Sequence, residues 1–142
     1  MNASDYSVPD LLRRFVPTPL TAVGCVDSTR IVLQTNDPGL AAAMQQSRPD
    51  IAIDPQPRFL AMKIVRDNDA PSAEAEVTVI EVWPLTTLLA GVGTILTLDH
   101  RRCELFGFLA ASITAERFFE ELLPVLLRRF HDAGAAHPAS SI

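Results

Sequence analysis

Six consecutive residues hold most of the reactive chemistry this 142-residue chain could offer: Asp99, His100, Arg101, Arg102, Cys103 and Glu104. A histidine and a cysteine three positions apart can chelate a metal. They supply only one pair, however, and a structural zinc site takes four ligands from two separated pairs. The other histidines, His131 and His137, fall on a helix end and in a tail. A cysteine nucleophile needs a neighbouring histidine that lowers its pKa, and His100 could reach Cys103 only across a turn. Asp99 ends a strand beside a basic turn, where a carboxylate is suited to accept backbone N–H bonds or to pair with Arg101 or Arg102. These patterns predict a structured turn, with no catalytic residue and no metal.

Other reactive patterns are thinner still. Gly91-Val92-Gly93 is the one G-x-G, and Leu96 stands where a third glycine of a dinucleotide loop would be. Phosphate cradles need several glycines so that backbone N–H groups can converge, so a hairpin turn is expected and no cofactor. Ser4, Ser7, Ser28, Ser47, Ser72 and Ser112 lie in loops, turns or ends, and none occupies a G-x-S-x-G elbow. The paired acids Glu120 and Glu121, and Glu74 and Glu76, read as solvated faces. Gly107, between Phe106 and Phe108, is a glycine inside a strand, which predicts a bulge or a close backbone contact, for instance with the last helix. The candidates for a ligand or interface surface are Trp83, Asp99, His100, Arg101, Arg102, Phe106 and Phe108.

The elements that must position these residues follow from periodicity and punctuation. Residues 1–19 form a leader with a short helix, stopped by Pro17 and Pro19. Strands are expected at 20–26 and 30–34, around Asp27-Ser28-Thr29. The run Thr35-Asn36-Asp37-Pro38 is a helix start, and a short alanine-rich helix follows to Ser47. Pro49, Pro55 and Pro57 break the next ten residues into a loop. A strand at 59–65 precedes a polar loop at 67–75. The β-branched run 76–83 is a strand that Pro84 ends or kinks. Residues 85–90 read as a further strand, with a short helix at 84–90 as the rival. Strands at 94–99 and 104–109 form a hairpin. A helix from Thr114 to about His131 carries Phe118, Phe119, Leu122, Leu123, Leu126, Leu127 and Phe130 on one apolar face. Phe119 is expected to be a keystone of the core, Pro124 to kink this helix near Glu120, and Gly134 to lie near its stop.

Composition bounds the function. Hydrophobic residues make up 48% of the chain, so a core is expected. A chain of this length buries roughly 68% of its unfolded surface and needs no staple. Lys and Arg number 12 against 17 Asp and Glu, for a net charge of −5. That balance argues against nucleic-acid binding and against docking on anionic membranes. Cys25 and Cys103 are the two cysteines. With no secretory signal at the polar N-terminus, the expected location is cytoplasmic and the thiols are expected to be free.

The run from Gly93 through Asp99, Arg101-Arg102 and Gly107-Phe108-Leu109, followed by Phe118-Phe119 and a leucine-rich helix, resembles a segment of HPr-kinase-related proteins. In those proteins the segment lies just upstream of a P-loop kinase-like domain. The likeness covers about 40 residues, and no nucleotide-binding loop follows the helix here. It therefore implies a stand-alone accessory domain, related to a regulatory N-terminal domain, and carries no catalytic residue with it.

Together these readings predict one α+β domain over residues 20–131, a mainly antiparallel sheet of five to seven strands with the C-terminal helix across one face, and a disordered tail over 132–142. The expected function is a non-enzymatic accessory, regulatory or protein-interaction domain. A homodimer is expected, formed by the apolar strand residues Ile80, Val82, Trp83, Leu88 and Leu89. A second protein encoded nearby is a further candidate partner. The alternative is a small-ligand-binding domain or weak enzyme, with a pocket between sheet and helix near Trp83, Phe106 and Phe108.

Overall fold

The computed structural model describes residues 17–46, 58–67, 76–91 and 93–136. The leader helix, the proline-rich loop, residues 68–75 of the expected polar loop and the last six residues of the expected tail lie outside the described residues.

Seven strands form one sheet: β1 (Leu20–Val26), β2 (Thr29–Thr35), β3 (Arg58–Asp67), β4 (Val77–Val82), β5 (Leu85–Ala90), β6 (Ile95–Asp99) and β7 (Glu104–Ala110). Every expected strand forms, and 85–90 is strand rather than helix. Asp27 and Ser28 both take positive φ, 47° and 61°, as a two-residue β-hairpin turn requires. The β4–β5 turn contains the cis peptide bond between Trp83 and Pro84.

The strand order is β1-β2-β3-β7-β6-β5-β4. The sheet is mixed rather than uniformly antiparallel, because β2 and β3 run parallel, as do β3 and β7. Connection length permits this. Parallel neighbours need a crossover of a dozen or more residues, and both of these connections are long. One runs through helix α1 (Pro38–Gln46) and the other through the β4–β5–β6 meander.

Among the described residues, helices cover one face only. α1 buries Leu40 and Met44, and Asp37 receives the Gly39 N–H at its Oδ1. The C-terminal helix has three consecutive segments: α2 (Ala115–Arg117), a π-helical turn (Phe118–Leu122) and α3 (Leu123–Ala136). Thr114 caps it by accepting the Arg117 N–H at 3.0 Å. Where Pro124 is expected to kink the helix, the ladder widens into a π turn. Pro124 has no N–H for the Glu120 carbonyl, and the turn just before it shifts to a wider ladder in which the Leu123 N–H bonds to Phe118. Glu120 and Glu121 are exposed. Glu121 pairs with Arg117 at 3.7 Å, and a hydrogen bond to Glu116, followed by the charge of Glu116, holds the Glu120 carboxyl above its usual pKa.

The helix face buries Phe118, Leu122, Leu123, Leu126, Leu127 and Phe130 against Leu60, Met62, Ile64, Leu88, Leu96, Leu98, Leu105 and Leu109 of the sheet. Phe118 is fully buried, whereas Phe119 is only partly so and packs edge-on against it at 5.0 Å. The fully buried phenylalanines of this helix are therefore Phe118 and Phe130, not Phe119. Gly107 sits opposite Leu96 with the register unbroken, so there is no bulge. Its close contact is with β6, since a Cβ there would lie 2.3 Å from the Ile95 carbonyl oxygen.

Gly134 does not stop the last helix, which continues to Ala136. Its role is to leave room for Arg58. A Cβ at position 134 would meet that guanidinium, which donates to the Phe130 carbonyl and lies 3.7 Å over the Phe130 ring. His131 ties the same helix to the β1–β2 hairpin through Thr29 Oγ1 at 3.0 Å.

Candidate functional site

A cleft of about 420 Å³ opens where the β4–β5 turn and the β6–β7 turn meet α3. Glu81 reaches it from β4, Trp83 from the turn, and Leu85 and Thr86 from β5. His100 comes from the β6–β7 turn, and Arg129, Asp132 and Ala133 from α3. The three helix residues share a face by their i, i+3, i+4 spacing.

The inner wall is a rigid stack. The Trp83 and His100 rings lie 5.3 Å apart and 13° from parallel, and His100 in turn stacks on Phe130 at 6.4 Å and 18°. Arg58 closes the far side of Phe130. His100 is buried, and its Nε2 hydrogen-bonds Thr86 Oγ1 at 2.6 Å. Its backbone N–H donates to the Pro84 carbonyl at 2.9 Å, fixing one turn against the other. The rim is charged. Arg129 Nη1 donates to Glu81 Oε1 at 3.3 Å, with both side chains partly exposed. Asp132 is exposed, with no hydrogen bond or ion pair among the described residues.

The structure brings two of the seven sequence candidates together, Trp83 and His100. Asp99 fixes its turn, its Oδ1 accepting the N–H groups of Arg101 at 3.0 Å and Arg102 at 3.1 Å. Arg101 and Arg102 are exposed on that turn. Cys103 also belongs to it, at φ 54°, and its thiol faces the His100 carbonyl rather than the imidazole. Among the described residues, no group of three His, Cys, Asp or Glu side chains is placed to hold a metal ion. Cys25 and Cys103 are free.

Phe106 and Phe108 do not line the cleft. They alternate with the buried Leu105, Gly107 and Leu109, and so project from the sheet face opposite the helices, in edge-on contact at 5.3 Å. The expected pocket shared by Trp83 and these two rings is therefore absent among the described residues. Leu88 changes sides as well. It is fully buried under the helix, whereas Ile80 and Val82 are exposed, Val82 to 69%.

The face that Phe106 and Phe108 occupy forms a second candidate surface. Register places Val82, Leu85, Asp99, Glu104, Ala61, Val32 and Val23 in one row across the sheet. Ile80, Thr87, Thr97, Phe106, Lys63, Gln34 and Thr21 form the next. Phe59 and Ile95 add exposed apolar surface on the same side.

Sequence reasoning missed Glu81, Thr86, Arg129 and Asp132. The spacing of Arg129, Asp132 and Ala133 was a usable signal. Thr86 carried none, because a buried threonine in a strand looks like any other β-branched residue.

No protein-family model matches this chain, and neither curated proteins nor solved structures give a significant match. Among the described residues, no helix is long and apolar enough to cross a membrane.

Proposed function

We propose that this chain is an interaction domain that pairs with a second copy of itself through the helix-free face of the sheet. One observation carries the reading: that face exposes large apolar side chains among its polar ones, where a solvated antiparallel sheet alternates to polar residues. Val23 is exposed to 58%, Phe59 to 55% and Ile80 to 48%, with Val82, Leu85, Ile95 and Phe106 beside them. An exposed apolar patch of this extent marks an interaction surface.

Size favours a second copy as the occupant. Seven strands at about 4.8 Å spacing make a face roughly 29 Å wide, and strands of this length run about 20 Å. Two such faces bury about 1,200 Å² between them, the lower bound for a specific interface. A two-fold axis parallel to the strands, over the central strand β7, lays β3 of one copy on β6 of the other. Lys63 then comes within one row of the second copy's Asp99, while Glu104, on the axis strand, faces its own counterpart. The accessory role implied by the resemblance to HPr-kinase-related proteins fits the same reading.

Light scattering at tens of micromolar tests it. A mass of twice 15.5 kDa is expected, with Phe106→Lys reduced to one chain and its circular dichroism unchanged. A wild-type mass of one chain refutes the proposal.

A further inference from the structure

We infer that the Trp83–Asp132 cleft binds a small organic monocation: a primary ammonium group carried on an apolar or aromatic body. The inference is independent of the pairing of sheet faces, since the cleft lies at the end of the sheet against α3.

Charge selects the sign of the ligand. The rim carries two carboxylates, Glu81 and Asp132, against one guanidinium, Arg129. Its carboxylates outnumber its guanidinium by one. Glu81 and Arg129 already face one another at 3.3 Å, which leaves the Asp132 carboxylate as the uncompensated group. Asp132 also sits toward the C-terminal end of its helix, where the dipole favours a cation over an acid. A residue that works against its own element is a recognised mark of a functional site. An anionic ligand would meet two carboxylates and a guanidinium already engaged.

Shape and wall chemistry select the rest. The volume suits a compact ligand and lies within the range of small-molecule sites. Trp83 is held in place by its stack on His100, which is held in turn by Thr86. An ordered indole, 41% exposed at the mouth, offers an apolar body a surface and attracts an adjacent cation. Asp132 reaches the rim from α3 and Trp83 from the β4–β5 turn, so an ammonium group at Asp132 with its apolar body on the indole bridges helix and sheet.

Trp83 is the single tryptophan of the chain, so its emission reports on the cleft directly. The probe is phenethylamine, and 3-phenylpropionate is the control that keeps the ring and reverses the charge. Phenethylamine at millimolar concentration should give a saturable change in emission, and the carboxylate should give none. Asp132→Asn should weaken the apparent affinity about two- to fivefold, the scale of one exposed charge pair. Glu116→Gln, at the other end of the helix, should leave it unchanged. An equal response to both probes, no saturable response, or an Asp132→Asn variant that binds like wild type overturns the inference. The readout does not depend on the mass of the assembly, so it stands or falls apart from the dimer.

Discussion

Replacing Arg66 with methionine should destabilise this domain more than any surface substitution. Arg66 leaves the end of β3 and holds three segments together. Its Nε and Nη2 donate to Asp37 Oδ2 at 2.9 and 2.7 Å, and its Nη1 donates to the carbonyls of Ala110, at 2.7 Å, and Ile113. Its backbone N–H donates to Asn36 Oδ1 at 2.7 Å, and its carbonyl accepts from Asn36 Nδ2 at 3.2 Å. The side chains of Arg66 and Asp37 are only 11% and 16% exposed. Methionine keeps the aliphatic packing but strands the Asp37 carboxylate with the Gly39 N–H as its remaining side-chain partner. Breaking one side of a buried pair costs about 3–5 kcal/mol, a third or more of a typical domain's 5–15 kcal/mol. At about 3 °C per kcal/mol for a chain of this size, the melting temperature should fall by roughly 10 °C. Urea denaturation of Arg66→Met, Asp37→Asn and the double variant completes the cycle. The double variant should be more stable than the sum of the single losses implies, because the stranded charge is gone. A loss under about 1 kcal/mol for Arg66→Met, or strict additivity, refutes the claim that the two side chains act as a buried pair.

Two further substitutions test the packing of the last helix. Phe118→Ala should cost about 3–5 kcal/mol by urea denaturation, against roughly 1–2 for the half-buried Phe119→Ala; equal losses would contradict the orientation of the π turn. Gly134→Ala should fail to deliver the stabilisation of about 1 kcal/mol expected of alanine in a helix, because its Cβ displaces Arg58 from the Phe130 carbonyl. In an Arg58→Met background the same change should recover that gain, and no difference between backgrounds would show that Arg58 is not the obstacle.

The cleft and the open face differ in how much of each could be read in advance. Trp83 and His100 were legible as unusual residues, one beside a strand-ending proline and the other in a basic turn. Their stacking was not, because they are 17 positions apart and meet only when β5 pairs with β4 and β6. Phe106 and Phe108 were legible as a pair on one face of a strand. Which face was undecidable locally, since strand alternation names two sides but not which one a helix covers. The same ambiguity assigned Leu88 to an interface when it belongs to the core.

Element existence was determined by the sequence alone. β-branched runs, paired turn residues and the Thr114 cap act within a few positions of themselves, and all seven strands and both described helical regions follow from them. Tertiary structure decided what depends on neighbours far along the chain. It chose parallel pairing for β2, β3 and β7, because long crossovers permit either direction and only packing selects one. It carried the last helix through Gly134, because the missing Cβ admits an arginine from β3. It also gathered Glu81, Thr86, His100 and Asp132 around one cleft, because side chains from four separate elements converge only once the sheet and helix have closed on a common core.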